Sequence, residues 1–144
     1  MKKVFAIILS LLCLFAFAAC NEESEDISEN HERVTSVIET GRYTSWDAVS
    51  LYIHTYNKLP PNFLSEEEAN ERGGIEKAYA KNVGTSLGGM DYDNANGVLY
   101  TNQKYKMCDI SYDGETRGVK FLAYTDDGKI YYTKDGGETF TRLY

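Results

Sequence analysis

The chain has 144 residues, enough for one domain with extensions, and carries 15 Lys and Arg against 22 Asp and Glu, a net charge of −7. An acidic balance opposes binding of a polyanion, because Lys and Arg contacts to phosphate supply most non-specific affinity for nucleic acid. With 3 cysteines, the chain has no disulfide framework typical of small exported proteins, so a packed core must stabilise it.

The chain begins with two lysines and an apolar run, Val4 to Ala19, which is too short for a membrane span and typical of a signal peptide. The run ends in Ala18-Ala19-Cys20, which resembles a bacterial lipoprotein cleavage site with Cys20 as the acylated first residue. We therefore expect residues 1–19 to be removed and the protein to be exported and lipid-anchored at the surface of a bacterial membrane. The alternative is ordinary secretion after a small-residue cleavage site.

Removal of the signal peptide would leave 13 basic and 22 acidic side chains, a net charge of −9. A lipidated Cys20 cannot pair with Cys108, so no disulfide is expected. Residues 20–41 begin with an acidic stretch, residues 21–26, and are interpreted as a solvated tether in which His31 is inert. The folded domain is then expected over residues 42–144.

The first predicted helix begins after Thr44 or Ser45 and runs from Trp46 to about Asn57, before Leu59-Pro60-Pro61. Its apolar side chains recur at helical spacing: Trp46, Val49, Tyr52, Ile53 and Tyr56. His54 lies beside this stripe, and we interpret it as a surface or half-buried histidine without a catalytic role. The tryptophan should therefore pack against the rest of the core.

A second helix is predicted from a capping box, with Ser65 as N-cap and Glu68 at the third helical position. It should run to Arg72 and stop at Gly73-Gly74. A further helical turn or two is predicted over residues 76–81.

The β half opens at residues 85–89. Four or five strands are predicted after it, over Val98–Tyr100, Tyr105–Tyr112, Val119–Thr125, Ile130–Thr133 and Thr139–Leu143. Since the connections are short and contain no helix, the sheet should be antiparallel. Helices followed by a meander predict an α+β fold, with N-terminal helices packed on one face of a C-terminal antiparallel β-sheet.

The last two strands are joined by turn residues, Asp135-Gly136-Gly137. Together with its flanks, this turn fits Thr-x-Asp-x-Gly-x-Thr-Phe, a pattern that resembles the Asp-box hairpin. In that hairpin the aspartate accepts backbone N–H groups of its own turn, so Asp135 is interpreted as a turn organiser rather than a catalyst.

Several motifs occur in one order along the chain: Tyr56-Asn57-Lys58-Leu59-Pro60, Ser86-Leu87-Gly88-Gly89, Asp109-Ile110-Ser111-Tyr112 and Tyr131-Tyr132-Thr133 with the hairpin that follows. In this the chain resembles the barnase family of bacterial guanyl-specific ribonucleases, from Trp46 to Phe140. The resemblance implies a barnase-like fold and cleavage of RNA by attack of the 2′-OH on phosphorus. A general base and a general acid then transfer the protons.

At the positions that this resemblance makes catalytic, the chain has other residues. Met107 occupies the position of the family's glutamate base, and Gly136 that of its histidine acid. Gly137 replaces the tyrosine beside that acid. The thioether of methionine has no proton to exchange, and glycine has no side chain that could carry one. The resemblance therefore implies a degenerate catalytic site.

The phosphate-holding cations implied by the resemblance are also largely replaced. Where the family has a lysine, this chain has Glu66. Where the family has the arginine of the guanine loop, it has Ala95, and in place of one of two groove arginines it has Phe121. Arg117 and Asn94 are the substrate-binding residues of the family that this chain keeps. The glutamate with which the family's loop reads the base is replaced by Asn96. In the family's layout Arg117 is close to Asp109, and either a structural ion pair or a grip on phosphate fits that closeness.

Alternation along the strands gives an independent expectation. Cys108 and Leu122 should face the core, while Met107 and Phe121 share the opposite, groove-facing side. Two apolar side chains would then line a surface that is ionic in the family. Such a surface favours binding of an unknown protein or small-molecule ligand.

The sequence thus predicts a pseudoenzyme that acts as a binding module, with no cofactor and no metal. Its expected partners are that ligand and a membrane through the N-terminal lipid, with RNA implied only by the resemblance, and a monomer is expected. One alternative is an active extracellular endoribonuclease with relocated groups: Asp113, Glu115, Asp135 or Glu138. The other is a structural spacer.

Overall fold

The computed structural model describes residues 33–144. The predicted signal peptide, Cys20, the acidic stretch 21–26 and His31 lie outside this range. The helices are α1 (Trp46–Tyr56), α2 (Glu66–Glu71) and α3 (Ile75–Ala78). The strands are β1 (Phe63–Leu64), β2 (Ser86–Tyr92), β3 (Tyr105–Asp109), β4 (Phe121–Tyr124), β5 (Ile130–Thr133) and β6 (Thr141–Arg142).

The strands form one sheet in the order β1-β2-β3-β4-β5-β6. The predicted α+β fold is confirmed, and β2 to β6 are antiparallel neighbours. The expectation of an entirely antiparallel sheet is wrong at one edge, because β1 pairs with β2 in parallel. A parallel pair needs a crossover, and here α2 and α3 form it.

The predicted strand at Val98–Tyr100 is wrong. The first long strand is β2, which begins within the predicted opening of the β half at residues 85–89, and the short β1 was not predicted. Residues 98–100 instead belong to a closed loop held by Asn94. The side-chain amide of Asn94 accepts from the backbone N–H of Leu99 at 3.0 Å and donates to its carbonyl at 2.9 Å. Because Asn94 occupies both backbone groups, Leu99 has none left for a strand ladder.

One face of the sheet packs on α1. Val49 and Ile53 of the helix lie in a buried cluster with Cys108 and Leu122 of the central strands. Trp46 stacks on Tyr132 of β5, with ring centroids 5.6 Å apart and planes at 22°, as the predicted stripe required.

Cys108 is fully buried and free. Burial, together with the neighbouring charge of Asp109, raises the pKa of its thiol well above the ordinary value. Cys108 is therefore a small apolar core residue, as predicted, rather than a reactive thiol.

The ends of the helices follow local chemistry. α1 ends where Asn57 adopts a left-handed backbone with φ of +52°, before the two prolines. The capping box of α2 is confirmed: the backbone N–H of Glu68 donates to Ser65 Oγ at 3.2 Å, and the N–H of Ser65 donates to the Glu68 carboxylate at 2.8 Å.

Residues 33–41, assigned above to the tether, run along α1. The backbone N–H of Val34 donates to the carboxylate of Asp47 at 3.0 Å. The hydroxyl of Tyr52 donates to the carbonyl of Glu39 at 2.6 Å. These contacts bring residues 33–41 against the helix, so packed structure begins before the predicted domain start at residue 42. Within residues 33–144, no helix has the length and apolar character needed to cross a membrane.

Candidate functional site

The groove face of the sheet lies opposite α1, on β3, β4 and β5. Cys108 and Leu122 belong to the cluster beneath the helix, whereas Phe121 and Met107 belong to a separate aromatic cluster on the other face. The predicted alternation is therefore confirmed for both strands. Met107 lies half-buried at the edge of this aromatic cluster.

Phe121, however, does not line an open surface, and this part of the prediction is wrong. Its side chain is only 3% exposed. The ring centroids of Tyr92 and Phe140 lie 5.4 and 5.9 Å from that of Phe121. The sequence pattern placed Phe121 on the correct face but gave no sign that Tyr92 and Phe140 would cover it. Aromatic packing thus fills part of the face where the family has an arginine.

Asp135 holds the β5–β6 turn. One carboxylate oxygen accepts from the backbone N–H of Thr139 at 2.9 Å and from the hydroxyl of Thr133 at 2.7 Å. The other accepts from the hydroxyl of Thr139 at 2.5 Å. Because these bonds favour the charged form, they lower the pKa of Asp135 to about 2. This is the turn-organising role that the Asp-box pattern predicts.

The tip of the same turn offers no side chain for proton transfer. Gly136 and Gly137 both have positive φ, +74° and +92°. A Cβ added at Gly137 would lie 2.9 Å from the hydroxyl oxygen of Tyr92, closer than Cβ atoms normally approach. The tyrosine that the family has at this position is therefore sterically incompatible with Tyr92 where it stands.

Arg117 and Asp109 form an ion pair, with Nε of the guanidinium 2.7 Å from Oδ2. Asp109 is 2% exposed, and its Oδ1 has no hydrogen-bond partner among residues 33–144. Burial raises the pKa of this carboxyl above its usual range, although the hydrogen bond and charge of Arg117 act against the shift. Phe121 lies directly opposite Asp109 across the β3–β4 pair. The family has its other groove arginine at this position, where it could bind the carboxylate oxygen that lacks a partner here.

The residues at the guanine-loop positions, 94–96, hydrogen-bond within the protein. Asn94 is 7% exposed and its side chain bonds Leu99, so it organises the loop. Its backbone carbonyl accepts from the N–H of Gly97 at 2.8 Å. A role of Asn94 in substrate binding stays a prediction. Ala95 is exposed and donates its N–H to Asp93 at 3.1 Å. Asn96 donates from its amide to the carbonyl of Gly137 at 2.7 Å, a link to the hairpin tip that the sequence gave no means to foresee.

Glu66 has a local structural reason to be acidic. It lies exposed in the first turn of α2, between the N-cap Ser65 and two further glutamates. Negative side chains are favoured there by the partial positive charge of a helix N-terminus. A carboxylate at this position would repel a phosphate rather than hold it.

The residues considered as relocated catalytic groups lie in two connections, β3–β4 and β5–β6. Asp113 accepts the N–H groups of Glu115 and Thr116 at 2.9 and 3.0 Å, which lowers its pKa and ties it to its own turn. Glu115 and Glu138 are exposed. His54 is exposed on α1, where its ring stacks on Tyr144 with centroids 4.1 Å apart. No group of acidic, histidine and cysteine side chains suited to a metal ion occurs between residues 33 and 144.

Comparison with known proteins identifies relatives. The chain is 32% identical over 104 residues to proteins named ribonuclease from Bacillus intermedius and Bacillus pumilus, covering 69% of this chain and 64% of their length. It is 31% identical over 104 residues to a ribonuclease from Heyndrickxia coagulans, covering 69% of this chain and 95% of that protein. No family model matches the sequence.

Proposed function

The chain belongs to the family of barnase-like bacterial ribonucleases, and we propose that it is a member that no longer cleaves RNA and serves as a binding module. The observation that carries the proposal is the pair of Met107 and Gly136 at the positions of the family's general base and general acid. Met107 packs against the aromatic cluster, and Gly136 forms the tip of the Asp135 turn. Neither residue can take up or release a proton at neutral pH.

The electrostatics of the groove support the same proposal. Cleavage builds negative charge on phosphorus, and fixed cations lower the barrier by stabilising that charge. Here Phe121 and Ala95 stand at two of the family's cationic positions, and Glu66 reverses the sign at a third. Arg117 remains, but its Nε is engaged by the buried carboxylate of Asp109.

The second candidate is an active ribonuclease, and the relatives themselves favour it. Each carries the name ribonuclease at about one-third identity, and the chain spans 64% of the length of the two Bacillus proteins. Retention of Arg117 also fits this candidate. Against it, Asp113 and Asp135 organise their own turns, and Glu115 and Glu138 are exposed.

A restoration experiment tests the proposal. Met107→Glu alone should leave RNA uncut, because no acid protonates the leaving oxygen. Met107→Glu combined with Gly136→His should recover at most a trace of cleavage. A histidine at position 136 must adopt a backbone with φ near +74°, which non-glycine residues rarely occupy. Met107→Gln with Gly136→His is the matched control, since its amide cannot act as a base. Measurable cleavage that is equal in the two double variants would contradict the assigned role of position 107.

Lipid anchoring is the second part of the proposal, and it rests on the apolar start and Ala18-Ala19-Cys20. Cys20→Ala should abolish acylation and block lipoprotein-type processing. The measurement is metabolic labelling with a fatty acid, together with the protein's distribution between membrane and medium. Cys13→Ala is the control, because that residue is removed with the signal peptide. Normal processing of the Cys20 variant, with unlipidated original protein in the medium, would exclude the anchor.

A further inference from the structure

Beside the aromatic cluster lies an open cavity of about 540 Å³. It is bounded by residues 97–101 on one side and by strands β5 and β6 on the other. Its apolar walls come from Val98, Tyr100, Tyr131 and Phe140. The size is that of a small-molecule site, and a mostly apolar lining with a few polar groups is typical of one. The positions of the family's base and acid are not among the lining residues, so binding in this cavity does not depend on the loss of cleavage.

The mouth of this cavity exposes apolar side chains. Tyr100 is 69% exposed and Val98 is 47% exposed. They are two of the four large apolar side chains that are exposed between residues 33 and 144. Two of these side chains at one cavity form a local patch, and such patches mark binding sites more often than scattered exposed residues do.

Arg142 is the one charged side chain that lines the cavity. The side chain is exposed, and its Nε donates to the backbone oxygen of Tyr144 at 2.9 Å. No ion pair joins Arg142 to an acidic side chain in the part of the chain that the structure describes. A guanidinium carries several N–H donors and binds carboxylate through charge-assisted hydrogen bonds, so the one bond to Tyr144 leaves donors for a ligand.

Tyr131 closes the inner side of the cavity. The residue is 6% exposed and belongs to the buried aromatic cluster. Its hydroxyl oxygen is buried and makes no hydrogen bond to any residue from 33 to 144. Tyr131 therefore contributes its ring to the cavity wall, and its hydroxyl is not exposed to a ligand.

We propose that this cavity binds an aromatic ring bearing a single carboxylate, either as a free aromatic acid or as the C-terminal aromatic residue of a polypeptide. Tyr100 and Phe140 supply aromatic surface for the ring, since aromatic pairs are stabilised beyond their buried area. Arg142 binds the carboxylate. One cation matches one negative charge, whereas a phosphodiester chain carries many charges and meets a protein of net charge −7.

Isothermal titration of the full chain tests the proposal with N-acetylphenylalanine and its uncharged amide. The acid should bind at least tenfold more tightly than the amide. Arg142→Gln should remove this preference, leaving both ligands equally weak. Tyr100→Ala should weaken both by a similar factor and keep the preference. Arg72→Gln, which changes an exposed arginine at the end of α2, should behave as the unmodified chain.

A hexapeptide ending in phenylalanine distinguishes the two sources. Binding of the peptide but not of the small acid assigns the site to polypeptide C-termini, whereas the reverse assigns it to free acids. The proposal is overturned if the acid and the amide bind equally, if neither the acid nor the peptide binds at millimolar concentration, or if Arg72→Gln abolishes the preference as fully as Arg142→Gln. Tighter binding of guanosine 3′-monophosphate than of the acid, lost in Arg142→Gln, would also contradict the single-carboxylate class.

Discussion

Asp135 illustrates how one side chain holds a turn. Its carboxylate accepts hydrogen bonds from Thr133 and Thr139. This organisation was predictable from sequence, because the bonds are local and the spacing of the three residues fixes their geometry. The same hydrogen bonds lower the pKa of the Asp135 carboxyl.

The first prediction concerns this turn. Asp135→Ala should lower the free energy of unfolding by about 1–3 kcal/mol, because it leaves turn donors without a partner. The pKa of Asp135 lies at about 2 in the folded chain, below the unfolded value of about 3.9. The stabilisation is therefore complete above the unfolded pKa and is lost as the pH falls through about 2.

Denaturation followed by the fluorescence of Trp46, the one tryptophan in the chain, measures this effect between pH 2 and pH 7. The difference between the unmodified chain and Asp135→Asn should shrink as the pH falls. Asp126→Asn in the neighbouring turn is the control and should change the unfolding free energy little. A pH-independent difference at position 135 would show that the charged carboxylate does not stabilise the turn.

Asp109 shows what a replaced neighbour does to a buried charge. Its Oδ1 lacks a partner among residues 33–144, and Phe121 lies across the strand pair from it. Cross-strand neighbours share a face of the sheet. An arginine at position 121 would therefore stand within reach of this oxygen.

The second prediction is that Phe121→Arg lowers the pKa of Asp109, measured by NMR titration of the carboxyl carbon. The added guanidinium favours the charged carboxylate. Phe121→Leu is the control: it removes the ring without adding charge and should not lower that pKa. If the arginine variant loses its chemical-shift dispersion, Phe121→Lys provides a second cation at the same position. An unchanged pKa in a folded cationic variant would contradict the proposed pairing.

At the scale of the elements, the sequence predicted well whatever depends on neighbours in the chain. The stripe of α1, the capping box of α2 and the alternation of β3 and β4 all depend on spacings of a few residues. The burial of Phe121 was not predictable in this way, because it depends on Tyr92 and Phe140, which are distant in sequence. The parallel β1–β2 pair was missed for the same reason, since β1 has only two residues and too little pattern to detect.

The sequence wrongly predicted a strand in the loop that contains Asn94. Val98, Leu99 and Tyr100 have the composition of a strand, but a side chain five positions before Leu99 takes both of its backbone groups. Asn94 itself has a φ of +50°, a conformation that asparagine tolerates better than most residues. Local propensity was overridden by one polar side chain.

The third prediction tests that explanation. Asn94→Ala should lower the free energy of unfolding by about 1–3 kcal/mol and accelerate hydrogen exchange at the amide of Leu99, because both backbone partners are lost. Asn94→Gly accepts the positive φ but also lacks the side chain, so the difference between the two variants reports backbone strain. Unchanged exchange at Leu99 in both variants would show that the asparagine does not hold the loop.

At the scale of the whole molecule, the chain combines a barnase-like ribonuclease fold with a groove face whose loss of catalytic groups is our proposal. The fold rests on the core between α1 and the sheet, which includes Val49, Cys108 and Leu122. The groove face contains the aromatic cluster around Phe121. Since the core and the groove use opposite faces of the same strands, side chains of the groove can differ while the core is kept.

Cleavage of a guanine-containing dinucleotide by the unmodified chain tests the central claim most directly. The Heyndrickxia coagulans ribonuclease at the same concentration is the positive control. General acid and base groups contribute about 10²–10⁴-fold apiece, so the chain should give no rate above buffer. The contradicting result is guanine-preferring cleavage that follows the purified chain and falls in Arg117→Ala, since a contaminating nuclease would not respond to that substitution.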